Sequence, residues 1–337
     1  MSVLNNIGDW MKFGLFLNPQ APLGQEPESI FEGLVEQTRE ARDGGFDLIM
    51  TGQHYLTDYI QLQLFPLLSR LSAESGSMTV ATGIVLLPLH HPIEIAEMAT
   101  TLDVIAEDVV VGVGVGYRDI EFESFGVKKS ERGDRLKEGV QLMKELWANE
   151  EVTFDGEYYS VNNVSINPRP EKNLPVWVAA NSRSAIERAA RISEGWLVNS
   201  HSTVSEILGL KQSYDDIREQ EGETMEVPVI REAFVAPSRE EAVEIGRKYL
   251  GPKYKRYIEW GQDEAMEDEE DLHRSFDDLT EDRFLLGTPE EVSDQIERCE
   301  KKLDANYMIF RIQWPGLPHE KALRCIQLIG DEIIPNF

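Results

Sequence analysis

The chain reads as an α/β protein of the (β/α)8 TIM-barrel class, and three observations predict it. Short apolar runs alternate with helical patterns along nearly all of the 337 residues. Eight such runs can be counted, each followed by a helical pattern. One of them, Val109–Val115, is almost entirely valine and glycine, as suits a parallel strand buried on both faces. A single barrel with insertions fits the length, since such barrels span roughly 200 to over 400 residues. No Gly/Ser- or Pro-rich linker divides the chain, so residues 1–337 are read as one domain. A doubly wound open sheet is the rival architecture, and the count of eight favours the barrel.

The elements follow in order. Lys12–Leu17 is the first strand, and an acidic-capped helix runs on to Gly44–Gly45. Asp47–Met50 is the second strand, followed by a helix over Leu62–Leu71. Met78–Leu87 is the third, and after Pro92 a stripe of Ile93, Ala96, Ala99 and Leu102 repeats with helical period. Val109–Val115 precedes a second stripe of Leu136, Val140, Met143 and Leu146. Val152–Val164 reads as a small inserted β-hairpin turning at Asp155–Gly156. Alternation resumes with strand Val176–Ala180, helix Ser184–Ile192, strand Trp196–Val198 and helix Val204–Glu219. Pro228–Val235 is the seventh strand, and Ser238 with Glu241 predicts a capping box on its helix. An acidic, irregular insertion near 256–285, densest over Trp260–Asp282, comes next and is expected to set substrate choice. Thr288–Glu291 predicts a second capping box, with proline at the first helical position. Tyr307–Gln313 is the eighth strand and Leu323–Ile334 the closing helix.

Composition narrows the partners. With 61 acidic against 33 basic residues the formal charge is −28. Such a surface repels nucleic-acid phosphates and anionic headgroups, so neither nucleic acid nor membrane is an expected partner. No run approaches the ~20 apolar residues of a membrane helix, and Met1–Trp10 lacks the basic-then-apolar pattern of a signal peptide. The two cysteines, Cys299 and Cys325, have no neighbouring ligands that would make a zinc site. A cytoplasmic protein with no metal, assembling as a homo-oligomer, is the expectation.

In a barrel the chemistry sits at the C-terminal ends of the strands. Four of the six histidines, His54, His90, His91 and His201, fall in those loops. Gly112-x-Gly114-x-Gly116 is not a dinucleotide fingerprint, because Tyr117 stands where the third glycine belongs and Arg118–Phe122 opens no clean helix. Its glycines suit the close approach of something bulky, such as a flat ring. Asn181-Ser182-Arg183-Ser184 joins a strand end to a helix N-terminus, which makes either a phosphate seat or a simple N-cap.

Several stretches taken together resemble the bacterial luciferase-like family of flavin-dependent oxidoreductases. They are Ala81–Asp103, Val110–Trp147, the VTFDGEYY and PRPEKNLPVWVAANS segments, AARISEGW, Arg283–Val292 and RIQWPGLP. The resemblance covers residues 12–335. It implies a barrel holding reduced FMN, or the deazaflavin F420, at its strand ends. It also implies a bulged third strand with a non-prolyl cis peptide at Gly83–Ile84 under the flavin ring, and Gly114, Gly116 and Tyr117 beside it. The phosphate would sit on Asn181, Ser182, Arg183 and Ser184. Some relatives carry arginine after the fourth strand where this chain has Val115, and Arg118 or Arg183 could substitute. His54 matches a family position used for proton handling. The alternative for it is a polar loop histidine bonded to a backbone carbonyl. His91, His201 and Trp314 are assigned to the substrate pocket, although His91 could merely stack at its mouth and Trp314 merely pack. The activity so implied is a monooxygenase using reduced FMN and O2 on a small organic substrate, with FMN supplied by a separate flavin reductase. An F420-dependent hydride-transfer enzyme is the alternative, and a non-catalytic flavin-binding paralogue is the alternative of another class.

Overall fold

The computed structural model describes residues 11–172, 174–221, 226–263 and 271–337. Residues 1–10, read above as no signal peptide, and residues 264–270 of the acidic insertion lie outside these. Eight parallel strands form the frame: β1 Lys12–Phe16, β2 Leu48–Thr51, β3 Thr79–Thr82, β4 Val109–Gly114, β5 Val176–Ala179, β6 Gly195–Leu197, β7 Pro228–Val235 and β8 Tyr307–Arg311. Each of β1 to β6 pairs with the next, and β8 pairs with both β1 and β7. The sheet curls until β6 meets β7, where the amide of Val198 donates to Pro228 O at 2.8 Å and that of Ile230 to Val198 O at 3.0 Å. Its two ends are thereby joined into a barrel-like ring.

Period-two alternation divides the core into two layers. Phe16, Leu48, Met50, Ala81, Trp177, Leu197, Ile230 and Ile309 fill the inside of the ring. A larger layer lies between strands and helices, which are α1 Pro27–Asp43, α2 Leu64–Leu71, α3 Pro92–Ile105, α4 Asp119–Phe125, α5 Arg132–Ala148, α6 Arg183–Ile192, α7 Val204–Glu221, α8 Arg239–Glu259, α9 Phe276–Thr280, α10 Pro289–Leu303 and α11 His319–Glu332. None of the described helices is long and apolar enough to cross a membrane.

Several elements differ from the sequence expectation. The third strand is not continuous over Met78–Leu87. It breaks after Thr82 at a cis Gly83–Ile84 peptide and resumes as Val85–Leu86, which pairs with Val113–Gly114. Residues after Tyr117 do form a helix, the short α4, closed by Gly126 in the left-handed region at φ 69°. A ninth parallel strand, Leu285–Gly287, pairs with the end of β7 and is too short to show a period. Thr288 and Glu291 complete both halves of a capping box, whereas Ser238 makes only the bond from Glu241 N. The inserted segment after α5 is an antiparallel hairpin, Val152–Asp155 with Ser160–Val164. Its turn is gathered by Glu138, which accepts the amides of Glu157, Tyr158 and Tyr159.

Glycine is required where β3 and β4 cross. A Cβ on Gly112 would stand 2.0 Å from the carbonyl oxygen of Thr82, and one on Gly114 would stand 2.1 Å from Ile84 Cδ1. The bulky neighbour these two glycines admit is therefore the chain itself, the broken third strand and its isoleucine. Gly112→Ala meets backbone that has no rotamer to yield, so it should destabilise by about 1–3 kcal/mol or more. A urea unfolding midpoint unchanged from wild type would contradict that packing.

Candidate active site

The C-terminal ends of all eight strands surround one cavity. Phe16 ends β1 and Asn18 follows it, Gly52–His54 follow β2, and Gly83 with Ile84 form the break in β3. Gly114–Tyr117 come from β4, Asn181 follows β5, Asn199–His201 follow β6, Ile230 lies on β7 and Arg311 ends β8. Tyr257 of α8 and Gln262 close the remaining side. The two sides differ chemically. Over β2–β4 the lining is rich in glycine, Gly52, Gly83, Gly114 and Gly116, interleaved with Gln53, His54, Ile84 and Tyr117. Across the ring it is Asn18, His201, Tyr257 and Arg311.

His54 stands at the rim and its partner is a carboxylate, not a backbone carbonyl. Its Nδ1 lies 3.2 Å from Glu121 Oε1, and that oxygen also accepts the amide of Tyr55 at 2.8 Å. Glu121, in the first turn of α4, is fully buried. Arg118 reaches the same carboxylate at 3.4 Å, donates to the carbonyls of Tyr55 and Leu56, and lies 4.3 Å over the Trp260 ring. Burial alone would push the Glu121 carboxyl up, but His54, the Tyr55 amide and Arg118 together hold it below the usual carboxylate range. His54 is also framed by the ring edges of Tyr117 and Trp260, at 5.8 and 5.6 Å between centroids. A second network ties the broken strand to β2. Gln53 accepts the Leu86 amide at 3.0 Å and donates to Tyr55 Oη at 2.6 Å.

The residues singled out from sequence fall into three groups. His54, Gly83, Ile84, Gly114, Gly116, Tyr117, Asn181 and His201 converge on the cavity. Ser182, Arg183 and Ser184 sit just beyond Asn181 at the start of α6, with Ser182 half-buried and Arg183 and Ser184 exposed. Ser182 is the N-cap by position, yet no side-chain capping bond is made there among the described residues, and Arg183 pairs with Ser213. Two assignments are corrected. His91 does not line the cavity, because Pro92 starts α3 there and the imidazole turns back to accept the Ile93 amide and stack edge-on against Tyr159. Trp314 is wholly buried behind the wall, where its indole donates to Glu232 Oε2 at 2.7 Å. Arg118 is committed to Glu121 and the Tyr55–Leu56 carbonyls and is not among the cavity residues.

Glu121, Glu232, Lys253 and Arg311 escaped the sequence reading. Buried acids and bases are detectable only as charges inside apolar patterns, such as Glu121 between Ile120 and Phe122.

A parallel ring of strands with a cavity at its C-terminal mouth is the usual place for a small-molecule site in a barrel protein. The luciferase-like monooxygenase family model matches residues 11–305, and the chain belongs to that family. An F420-dependent glucose-6-phosphate dehydrogenase of Microbacterium testaceum is 28% identical over 318 residues, 88% of this chain and 90% of the relative. The oxygenase component of a flavin-dependent trigonelline monooxygenase from Acinetobacter baylyi is 25% identical, covering 97% of this chain and 96% of its own. In fold the chain is similar to the monooxygenase RslO1 from Streptomyces bottropensis, with a TM-score of 0.85 at 24% identity over 97% and 99% of the two chains. Flavin- or F420-linked oxidoreductases are thus its relatives.

The Glu121 geometry carries a pH signature. A carboxylate whose folded pKa is depressed contributes stability that is present above its unfolded pKa and lost as pH falls through the folded value. Glu121→Gln should therefore cost about 1–3 kcal/mol near neutrality, and the gap from wild type should shrink below the ordinary carboxylate pKa of about 4.5. Denaturation series at several pH values measure it, and a gap that widens on acidification would contradict the assignment.

Proposed function

We propose that the protein is a flavin-dependent monooxygenase that uses reduced FMN and O2 on a small organic substrate, its reduced flavin arriving from a separate reductase. The observation that carries this reading is the wall of Gly52, Gly83–Ile84 and Gly114–Gly116, which lines the cavity with the Ile84 side chain seated against Gly114, beside the His54–Glu121 pair. A flat tricyclic ring needs such a wall on one face. Its polar edge needs partners, and Gln61 Oε1 and Tyr117 Oη are buried around the cavity with none among the described residues. When bound, the flavin supplies two-electron chemistry and the reaction with O2.

The protein's own residues supply position and protons. Asn181 leads from the cavity to the start of α6, where Ser182, Arg183, Ser184 and the first helical amides suit a single terminal phosphate. His54 holds or moves a proton at the rim, its Nδ1 fixed by Glu121. Trp260 and Tyr117 bracket the imidazole and restrict water around it. The absence of a dinucleotide fingerprint in the sequence and the Acinetobacter relative's description as an oxygenase component support an external reductase. A second reading, hydride transfer with F420, is favoured by the Microbacterium relative.

Titration of the purified protein tests the choice. FMN should bind in preference to FAD, reduced FMN should support O2 consumption, and His54→Ala should lower turnover by about 10²–10⁴-fold while FMN still binds. Turnover with F420 alone would establish the second reading. Preference for FAD, flavin binding without any turnover, or unchanged activity in His54→Ala would contradict the assignment made here.

A further inference from the structure

The wall opposite the glycines is cationic, which the family match leaves unexplained. Arg311 ends β8 and lines the same cavity as the glycine-rich segments after β2–β4. The Arg311 guanidinium lies 4.6 Å over the Phe16 ring, and its Nη2 donates to Tyr257 Oη at 2.9 Å. Its Nη1 stands 3.8 Å from Glu232 Oε1. Its Nε is buried and has no partner among the described residues.

Glu232 is engaged by several groups besides Arg311. The same oxygen accepts Lys253 Nζ and, at 3.2 Å, the Ser200 hydroxyl, while the other takes the Trp314 indole. One buried carboxylate is thus shared by Arg311 and by Lys253, whose pKa is pushed down to about 7 by burial and then by Arg311. His201, 7% exposed, lines the cavity beside them with its Nδ1 unpartnered among the described residues. Burial and then the nearby Lys253, Arg311, Arg283 and Arg231 hold that imidazole well below its ordinary pKa, hence neutral. A cluster of Arg and Lys side chains inside a chain of net charge −28 is not an average property of the chain. A buried guanidinium nitrogen without an acceptor is costly, and an anionic ligand would remove that cost.

We propose that Arg311, with His201 beside it, forms an oxyanion subsite, so that the substrate of this oxidoreductase carries a carboxylate or phosphate group pointing away from the glycine wall. This rests on the reading of the cavity as a redox site for a small molecule. A planar guanidinium edge presents parallel donors to an oxyanion, and charged hydrogen bonds of this kind discriminate strongly against neutral analogues.

The experiment titrates the purified protein by calorimetry with benzoate, phenyl phosphate and benzamide, with and without bound FMN. At least one of the two anions should bind about ten-fold or more tightly than benzamide, the scale of a charged hydrogen bond, and the preferred anion identifies the group. Arg311→Gln should abolish the preference and Arg311→Lys should keep part of it. Should Arg311→Gln not fold, the wild-type discrimination and Arg311→Lys decide. Equal affinity for all three probes, binding of none, or a preference that survives Arg311→Gln would overturn the proposal. FMN affinity is measured separately, so a protein that takes no flavin refutes the cofactor reading and leaves the anion result standing on its own.

Discussion

The structure depends on one close approach, that of β4 to the broken end of β3. Gly112 and Gly114 let the Thr82 carbonyl and the Ile84 side chain sit where a Cβ would otherwise be. The break at Gly83–Ile84 is then held from the other side, where Gln53 accepts the Leu86 amide and Gly52 packs against the Gly83 carbonyl. With three strand ends drawn together in this way, little side-chain volume remains on that side of the mouth. Glycines are concentrated in the cavity wall there, beside Gln53, His54 and Tyr117, while Asn18, His201, Tyr257 and Arg311 stand on the other side. The division between a glycine-rich side and a polar, cationic side follows from steric packing.

Charge is organised on the same division. At the rim beside the glycine wall, Glu121 is buried and engaged by His54, Arg118 and the Tyr55 amide, so acid and base are matched. Across the ring Glu232 serves as a hub for Lys253, Ser200, Trp314 and, at longer range, Arg311. It ties the ends of β6, β7 and β8 to α8. Desolvation first, and then Arg311, push the Lys253 ammonium down from its ordinary pKa, against the pull of Glu232. Buried ion pairs of this kind contribute little net stability, and their placement at a cavity is better accounted for by what they present to a ligand.

The barrel itself was legible because every strand is a short apolar run set between helical patterns, and periodicity is a local property. The loops that bear the site followed from the strand ends, and so did His54, Tyr117, Asn181 and His201. What could not be read were pairings between distant residues. Trp314 is drawn out of the pocket by an acid 82 positions earlier, and Glu121 meets His54 across 67 positions. His91 was misplaced for a local reason, since Pro92 at the first turn of α3 carries it to the surface. The glycine run was rightly read as permitting a close approach, but its neighbour is Ile84 and the Thr82 carbonyl, which no local pattern reveals.

The central claim is that the glycine wall receives the flat ring and the Arg311 wall is left for substrate. A crystal structure of the protein with FMN tests it most directly. The account predicts the isoalloxazine in van der Waals contact with Gly83–Ile84 and Gly114–Gly116, its phosphate by Ser182–Ser184, and the Arg311 guanidinium facing open space. A ring stacked instead on Phe16, Tyr257 and Arg311 would contradict it.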